Sequence, residues 1–329
     1  MKIVFFGTSN VALPVLEALS KKHEIAAVVT MPDAPVGRSQ VLTESPVSVL
    51  AKEMNLKILK PLKVKNNDVF KLELQNFTAD IFVVVSYGQI LPEDVINMPK
   101  FKTVNVHFSL LPKYRGPSPI QSTILNGETE TGTSIFILDQ QVDHGPLLAQ
   151  KKMVVDPDDN SLSLSQKLAF MSADLIIPTL DGYVSGLVVP QPQDETQATH
   201  TEIIDKAHGK IDWQKTASEI YNQFRAFFPW PGVWTRWDNR ILKLTDCTIH
   251  RINGLDESTP TLGLSHGRSP DQSVGAVAYR NGQVLDGGVV ACGQNTFLQI
   301  NTLQLEGKKE TKILDFLNGY KEFIGSVLS

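Results

Sequence analysis

The first half of the chain alternates short apolar runs with segments that carry apolar residues at helical spacing. The apolar runs, which we predict to be strands, cover residues 2–7, 25–30, 81–86 and 103–107. The predicted helices cover residues 11–19, 47–54 and 69–77. Because runs such as IFVVV at 81–85 are apolar at every position, both faces of these strands must be buried. The pattern therefore predicts an α/β fold with a mostly parallel sheet between two layers of helices.

The second half changes character after a long helical pattern at 162–184, in which Pro178 predicts a kink or a break. The stretch VVPQPQDETQATHTE that follows is rich in Pro, Gln and Thr, a composition typical of a linker. A helix is predicted at 216–227, and short strands are predicted at 233–237, 241–244, 274–279, 289–292 and 297–303. We therefore expect a first domain at 1–189, a linker at 190–207 and a small β-barrel or sandwich at 208–329.

Composition and charge exclude several classes of protein. The 329 residues are 42% hydrophobic and 20% charged, as in globular proteins, and the net charge of −4 argues against a surface that is basic all over. The run at 81–85 is far shorter than the roughly 18 residues of a membrane span, so no membrane partner is expected. Cys247 and Cys292 lack the spacing of a zinc site or a disulfide framework. We expect a cytoplasmic protein with reduced cysteines and no metal.

Ligands of parallel sheets bind beyond the carboxyl ends of the strands, so the residues just after each strand are candidates for a site. Gly7, Thr8 and Ser9 follow the first predicted strand, where a dinucleotide-binding fold carries GxGxxG. This turn has one glycine, and no acidic residue ends the second strand. A nicotinamide dinucleotide is therefore not the expected ligand.

Asn105 and His107 lie two positions apart in the strand at 103–107, so their side chains project from the same face. An amide donor beside an imidazole that titrates near neutral pH suits a reaction that stabilises an oxyanion and moves a proton. The pair alone is weak evidence, because a histidine with a purely structural role gives the same pattern.

Two carboxylates are candidates for a partner of His107. Asp139 and Asp143 both lie in LDQQVDHGPLLAQ, downstream of the histidine. A carboxylate within about 4–6 Å would favour the charged imidazole and fix its orientation. Asp143 is the better candidate because it precedes the turn signal HGP, although an aspartate that only caps the turn would be placed in the same way.

Several motifs taken together resemble one family. NVHFSLLPKYRGPSPI at 105–120 is followed by VDHG at 142–145, and the chain also contains FFGTSNVALPVLEAL, MPDAPVGR with SPV, VVVSYGQILP, QDET, KIDW and RAFFPWPGVWT. Over nearly its whole length the chain resembles the 10-formyltetrahydrofolate-dependent formyltransferases.

The resemblance implies a Rossmann-like sheet domain followed by an OB-type β-barrel. It also implies a monomer that transfers a formyl group from the co-substrate 10-formyltetrahydrofolate to the α-amino group of initiator methionyl-tRNA. Position by position, it makes Asn105, His107 and Asp143 the catalytic residues and Arg38 a contact of the tRNA acceptor end. Nine residues match folate contacts of the family: Val85, Tyr87, Gly88, Ile90, Leu91, Ser109, Leu110, Leu111 and Pro112.

The chain departs from the family pattern at two places. Gln141 and His144 stand where the family usually has glycine and threonine, and the loop arginine is followed by Ser-Gln-Val at 39–41 rather than Gly-Lys-Lys. The second departure concerns how firmly that loop holds phosphate and leaves the chemistry intact. The effect of both on acceptor recognition stays open.

Two other interpretations stay open. A formyltransferase for an amino-sugar nucleotide or for glycinamide ribonucleotide would use the same trio and folate, but the C-terminal residues with RAFFPWPGVW are superfluous for a small acceptor. A non-catalytic RNA-binding protein would leave Asn105, His107 and SLLP unexplained. The lysines at 57, 60, 63 and 65 and the tryptophans at 230, 234 and 237 suit RNA, but a solvated face is the better explanation for the lysines and core packing for at least two of the tryptophans.

Overall fold

A computed structural model describes residues 1–37, 40–250 and 279–329. The chain divides into two compact units, one formed by Met1–Thr123 with Glu128–Ile203 and the other by Ile124–Gly127 with Ile204–Ser329. Most of the predicted linker at 190–207, namely residues 190–203, therefore belongs to the first unit. Of the strand predicted at 274–279, all but Tyr279 lies outside the described residues.

The strands of the first unit include all four that were predicted, each within one residue of its expected bounds. In chain order the strands are β1 (Lys2–Gly7), β2 (Glu24–Val29), β3 (Ala34–Val36), β4 (Val41–Thr43), β5 (Ile58–Leu59), β6 (Ile81–Val85), β7 (Thr103–His107), β8 (Glu130–Ile137) and β9 (Leu147–Val154). The helices along this part of the chain are α1 (Leu13–Ser20), α2 (Pro46–Glu53), α3 (Asp68–Asn76), α4 (Glu93–Ile96), α5 (Pro119–Leu125) and α6 (Ser161–Val184).

Seven of these strands form one mostly parallel sheet in the order β5-β2-β1-β6-β7-β8-β9, which confirms the predicted α/β class. The five strands from β5 to β7 are parallel, and β8 and β9 add an antiparallel edge. The chain moves outward from β1 to β2 and β5, then returns to place β6 on the other side of β1. The direction of winding therefore reverses between β1 and β6, and such a reversal opens a crevice at the carboxyl ends of the two strands.

Strand β8 was not predicted, because the first half of its sequence ETGTSIFI is polar, although Thr131, Thr133 and Ser134 are buried. Their hydroxyls have partners inside the unit. Thr133 Oγ1 lies 2.9 Å from Ser172 Oγ, and Ser134 Oγ donates to the carbonyl oxygen of Ser109 at 2.6 Å. Buried hydroxyls are tolerated when they form hydrogen bonds, so this strand is buried without an apolar sequence. A search for apolar runs therefore does not find it.

Helix boundaries in the first unit follow local chemistry. Asn160 caps α6 in a capping box with Ser163, and Ser45 accepts a hydrogen bond from the N–H of Ser48 at the start of α2. The break predicted at Pro178 does not occur, since α6 continues beyond it to Val184.

Within its described residues, the second unit contains a five-stranded antiparallel sheet with helices against it. Its elements are α7 (Ala217–Ala226), β10 (Val233–Trp237), β11 (Arg240–Ile249), β12 (Val289–Ala291), β13 (Phe297–Leu305), β14 (Thr311–Lys312) and α8 (Ile313–Gly319). The sheet order is β10-β11-β13-β12, and β14 also pairs with β13. Trp237 is buried against Phe316 and Phe323, as expected for a core tryptophan, whereas Trp230 is 54% exposed.

Neither a membrane-spanning helix nor a metal cluster occurs in the described part of the chain. No helix there is long and apolar enough to cross a bilayer. Over the same residues, no three His, Cys, Asp or Glu side chains meet in a group that could hold a metal ion. Cys247 and Cys292 are both buried and unpaired with each other.

Candidate active site

A cavity of about 450 Å³ lies at the carboxyl ends of β1, β6 and β7, where the sheet changes its direction of winding. Its volume and its mixed polar and apolar walls are those of a small-molecule site. All of its lining residues belong to the first unit: Thr8, Ser9, Met31, Val84, Ser86, Tyr87, Gly88, Gln89, Asn105, Val106, His107, Phe108, Gly116, Pro117, Pro119 and Asp143.

Strand β7 brings Asn105 and His107 to this cavity together. The two residues are separated by one position of the strand, so the pleat turns both side chains the same way. His107 is 6% exposed and Asn105 is half-buried. The cavity therefore has an amide and an imidazole next to each other on one wall.

The contacts of His107 show which of its ring nitrogens carries a hydrogen. Its Nε2 lies 2.8 Å from the carbonyl oxygen of Tyr114. A carbonyl oxygen only accepts, so Nε2 carries a hydrogen and donates it. The other nitrogen, Nδ1, lies 3.4 Å from Oδ2 of Asp143. Nδ1 is therefore the atom that can gain or lose a proton beside a carboxylate.

Asp143 reaches this position from the loop between β8 and β9. Its backbone has φ of 48°, in the left-handed region that aspartate tolerates better than most residues. Oδ2 accepts a hydrogen bond from the N–H of Gly116 at 2.7 Å, and the backbone carbonyl accepts one from Nε2 of Gln193 at 2.8 Å. The carboxylate is 14% exposed and is held on both its side chain and its backbone.

Asp139, the other candidate carboxylate, serves a different partner. Its Oδ2 lies 2.6 Å from Nδ1 of His144, and Oδ1 accepts from the N–H of Gln141. Nε2 of His144 lies 3.5 Å from Glu195, whose pKa is held below its ordinary value mainly by its hydrogen bonds with Arg115. Gln141 and His144, which depart from the family pattern, thus both bond to Asp139. Of the two candidate aspartates, Asp143 is the one that lies beside His107.

The structure brings two of the nine predicted folate contacts to the cavity. Tyr87 and Gly88 line it, and burial raises the pKa of the Tyr87 hydroxyl, which keeps its proton at neutral pH. Val85 and Leu91 are buried but do not line the cavity, and Ile90 is 84% exposed.

The segment Ser109–Leu110–Leu111–Pro112, which the resemblance matches to folate contacts, also lies outside the lining of this cavity. Ser109 Oγ donates to the carbonyl oxygen of Lys113, and the N–H of Leu111 donates to Ser134 Oγ. Leu110 lines a separate cavity of about 290 Å³. The bond from Leu111 attaches the segment to Ser134 of β8. Arg38, the predicted tRNA contact, lies outside the described residues.

Several lining residues are not among the catalytic or folate-binding residues predicted from the sequence. Thr8 Oγ1 donates to the carbonyl oxygen of Tyr87 at 2.5 Å, and Ser9 Oγ donates to Ser86 Oγ at 2.7 Å. These bonds join the ends of β1 and β6 across the crevice. Their position in the sequence could have indicated them, because Thr8 and Ser86 directly follow β1 and β6, the two strands between which the direction of winding reverses.

Gly145, next to the candidate site, has no room for a side chain. A Cβ there would lie 1.8 Å from the carbonyl oxygen of Ile137. We therefore expect Gly145→Ala to lower the free energy of unfolding by about 1–3 kcal/mol, the usual effect of overpacking. Urea denaturation, monitored by circular dichroism, measures this free energy of unfolding. Gly319→Ala is the control, since no atom lies within 4 Å of its added carbon. Equal urea midpoints for Gly145→Ala and the unmodified protein would contradict the expectation.

Two family models match the chain, Formyl transferase over residues 1–180 and Formyl transferase, C-terminal domain, over residues 203–321. The methionyl-tRNA formyltransferase of Acidobacterium capsulatum is 39% identical over 320 residues, which cover 97% of this chain and 96% of that protein. The methionyl-tRNA formyltransferase of Caldicellulosiruptor saccharolyticus is 36% identical over 334 residues, and both chains are covered completely.

Solved structures share the fold. A sugar 3N-formyl transferase, WlaRD, crystallised in the presence of dTDP and 5-N-formyl-THF, matches with a TM-score of 0.62 and 19% identity, covering 94% of this chain and 99% of that chain. An N-formyltransferase from Helicobacter canadensis in complex with folinic acid and dTDP-3-aminofucose matches with a TM-score of 0.61 and 20% identity, covering 91% and 98%. At sequence identities of 19% and 20%, the similarity to these two structures establishes the fold alone.

Proposed function

The chain belongs to the formyl transferase family, and we propose that it transfers the formyl group of 10-formyltetrahydrofolate to the α-amino group of methionyl-tRNA. The product, N-formylmethionyl-tRNA, serves translation initiation. The observation that carries the proposal is the single cavity that Asn105, His107 and Asp143 share, in a chain similar over its full length to methionyl-tRNA formyltransferases.

The reaction begins with attack of the neutral amine on the formyl carbon. A tetrahedral intermediate forms, in which the former carbonyl oxygen is negatively charged. The side-chain amide of Asn105 lines the cavity and donates a hydrogen bond to this oxygen. A donor fixed in advance stabilises such an oxygen without reorganisation, and the loss of one typically costs about 10²–10³ in rate.

Proton transfer completes the reaction. The attacking amine loses a proton, the bond between carbon and N10 of the folate breaks, and N10 gains a proton. We assign both transfers to His107 and Asp143 acting as a unit, with Nδ1 of His107 as the exchanging atom. The carboxylate stabilises the positive charge that the ring carries when both nitrogens are protonated.

The folate co-substrate binds, in this proposal, along the loop at 86–89. Tyr87, Gly88 and Gln89 line the cavity, and Gly88 has φ of 102°, a conformation that glycine adopts without strain. Gln89 is fixed in turn, because its Oε1 accepts from the N–H of Val64 and its Nε2 donates to the carbonyl oxygen of Pro61. A cavity of about 450 Å³ suits one end of a folate together with the reacting amine.

We propose that the second unit is an OB-type barrel that contacts tRNA, and that Arg38 meets the acceptor end. Short antiparallel strands, the match to the C-terminal family model and the exposed ring of Trp230 support this role. Lys60 is a weaker candidate for RNA than its sequence suggests, since it pairs with Asp33 at 2.5 Å and Glu44 at 3.2 Å.

We also propose that the protein is a monomer and that it acts in the cytoplasm. The first unit alone supplies every residue that lines the cavity, so no second copy is needed to build it. Two buried, unpaired cysteines are typical of a reducing compartment, where aminoacylated tRNA is also used.

One assay separates this proposal from its alternatives. The protein is incubated with 10-formyltetrahydrofolate and either initiator methionyl-tRNA or an amino-sugar nucleotide, and the formylated product of each is quantified. We expect formylation of the methionyl-tRNA at a kcat/KM at least about 10³ times that of the sugar, because an acceptor that fits the site contributes binding energy to the transition state. Preference for the sugar would identify a sugar formyltransferase, and tRNA binding without formylation would identify an RNA-binding protein.

A further inference from the structure

The segment after α6 contains a strap, which we define as residues 193–202, that is hydrogen-bonded to the two loops that carry Gly116 and Asp143 of the candidate active site. Backbone hydrogen bonds attach the strap to the loop that follows β7. The N–H of Thr199 donates to Pro112, the N–H of Arg115 donates to Thr199, and the N–H of Thr201 donates to Arg115. A segment with the composition of a linker is therefore paired with the loop after β7, which lines the cavity through Gly116 and Pro117.

Gln193 connects the strap to the other loop. Its Nε2 donates to the backbone carbonyls of Asp143 and Gly145, both at 2.8 Å. Its Oε1 accepts from Arg115, at 3.2 Å from Nε and 2.8 Å from Nη2. One side-chain amide thus joins the Asp143 loop to the Arg115 loop, and all of its hydrogens and its acceptor oxygen are engaged.

Arg115 is itself fixed. It is 3% exposed, and Glu195 of the strap accepts from its Nη1 at 2.9 Å and from its Nη2 at 2.6 Å. Such a two-point bond between guanidinium and carboxylate is rigid and strong. The acceptor oxygen of Gln193 therefore has an immobile partner, which determines which way the amide of Gln193 points.

The strap also contacts Gly116, whose N–H binds the carboxylate of Asp143. Gly116 donates its N–H to Asp143 Oδ2, and a Cβ on Gly116 would lie 2.8 Å from Oγ1 and 3.0 Å from the carbonyl oxygen of Thr201. Thr201 thus lies in contact with Gly116. The strap holds Asp143 at two points, by Gln193 on its backbone and by Thr201 through Gly116.

We propose that Gln193 is a positioning residue for formyl transfer, which acts by holding Asp143 beside Nδ1 of His107. Asp143 needs such support because a non-glycine residue with φ of 48° persists only where its surroundings fix it. The inference rests on the proposed function, since it concerns the same cavity and reaction.

The test is a double-mutant cycle between Gln193 and Asp143. Gln193→Met keeps the length of the side chain and removes its hydrogen bonds. We expect it to lower kcat about 10-fold, because a small misplacement of a catalytic group is costly, while KM for both substrates stays within about 2-fold. In protein that already carries Asp143→Asn, Gln193→Met should change kcat by less than about 2-fold, since two residues that act through one group are not additive.

Controls separate positioning from folding. Gln191→Met changes the same residue type two positions earlier, where the amide donates to the backbone of Val189, and should leave kcat unchanged. Thermal melting by circular dichroism verifies the fold of each variant. If Gln193→Met does not fold, Gln193→Glu replaces it in the cycle, because it keeps the acceptor for Arg115 and loses the two donors.

The outcomes are distinct for the two proposals. An unmodified protein that forms no formylmethionyl-tRNA contradicts the proposed function. An active protein in which Gln193→Met leaves kcat unchanged, or lowers it by the same factor with and without Asp143→Asn, contradicts the role of Gln193 and leaves the proposed function standing.

Discussion

Replacing Asn105 by alanine should lower kcat by about 10²–10³ and change KM for folate and for methionyl-tRNA little. The reason is the timing of the hydrogen bond that this amide makes. The formyl oxygen is nearly neutral in the bound substrate and becomes charged in the tetrahedral intermediate, so the donor contributes most when the oxyanion has formed. Asn105 lies on the wall of the cavity in the middle of β7, where its position is fixed by the sheet.

Steady-state kinetics with each substrate varied in turn measure the split between kcat and KM. Asn76→Ala is the matched control, because Asn76 is exposed at the end of α3 and far along the chain from β7. Asn105→Asp adds a second comparison, since it keeps the shape and removes the donor, and it should be at least as inactive as the alanine variant. A kcat for Asn105→Ala within about 3-fold of the unmodified value would remove this residue from the mechanism.

The sequence predicts the sheet well and the loops poorly, for a physical reason. Buried parallel strands such as 81–85 must be apolar at every position, so composition alone marks them. The same logic places Asn105 and His107 together, because the period of a strand is fixed. Strand β8 escapes prediction because side-chain hydroxyls with partners elsewhere in the unit replace the apolar pattern.

Loop conformations depend on partners that are distant in sequence. The choice between Asp139 and Asp143 rests on a turn signal in the sequence, and in the structure it is made by the N–H of Gly116, 27 residues away from the aspartate that it binds. Composition gave no signal for the role of the strap, since Gln193 and Glu195 lie in a stretch that resembles a linker, and QDET at 193–196 entered only as a motif of the family resemblance. Its hydrogen bonds to Arg115 span 78 and 80 residues, and no local pattern encodes them.

Replacing Asp143 by asparagine should lower kcat by about 10²–10⁴, the largest effect that we expect from a single substitution. Asparagine has nearly the shape of aspartate, and its amide oxygen can still accept from Gly116. It removes the negative charge that lies 3.4 Å from Nδ1 of His107, so the protonated ring is no longer stabilised. Proton transfer from the amine to N10 of the folate then has no charged relay.

Asp139→Asn is the matched control for this substitution, because it makes the same chemical change four residues earlier, at a carboxylate that bonds to His144. We expect it to alter kcat by less than about 3-fold, since its charge does not contact His107. Folate affinity, measured by calorimetry, should be unchanged in both variants because Asp143 acts on the transferring protons and not on the pterin. If Asp139→Asn is as damaging as Asp143→Asn, the effect belongs to the β8–β9 loop as a whole and the relay assigned to Asp143 and His107 is wrong.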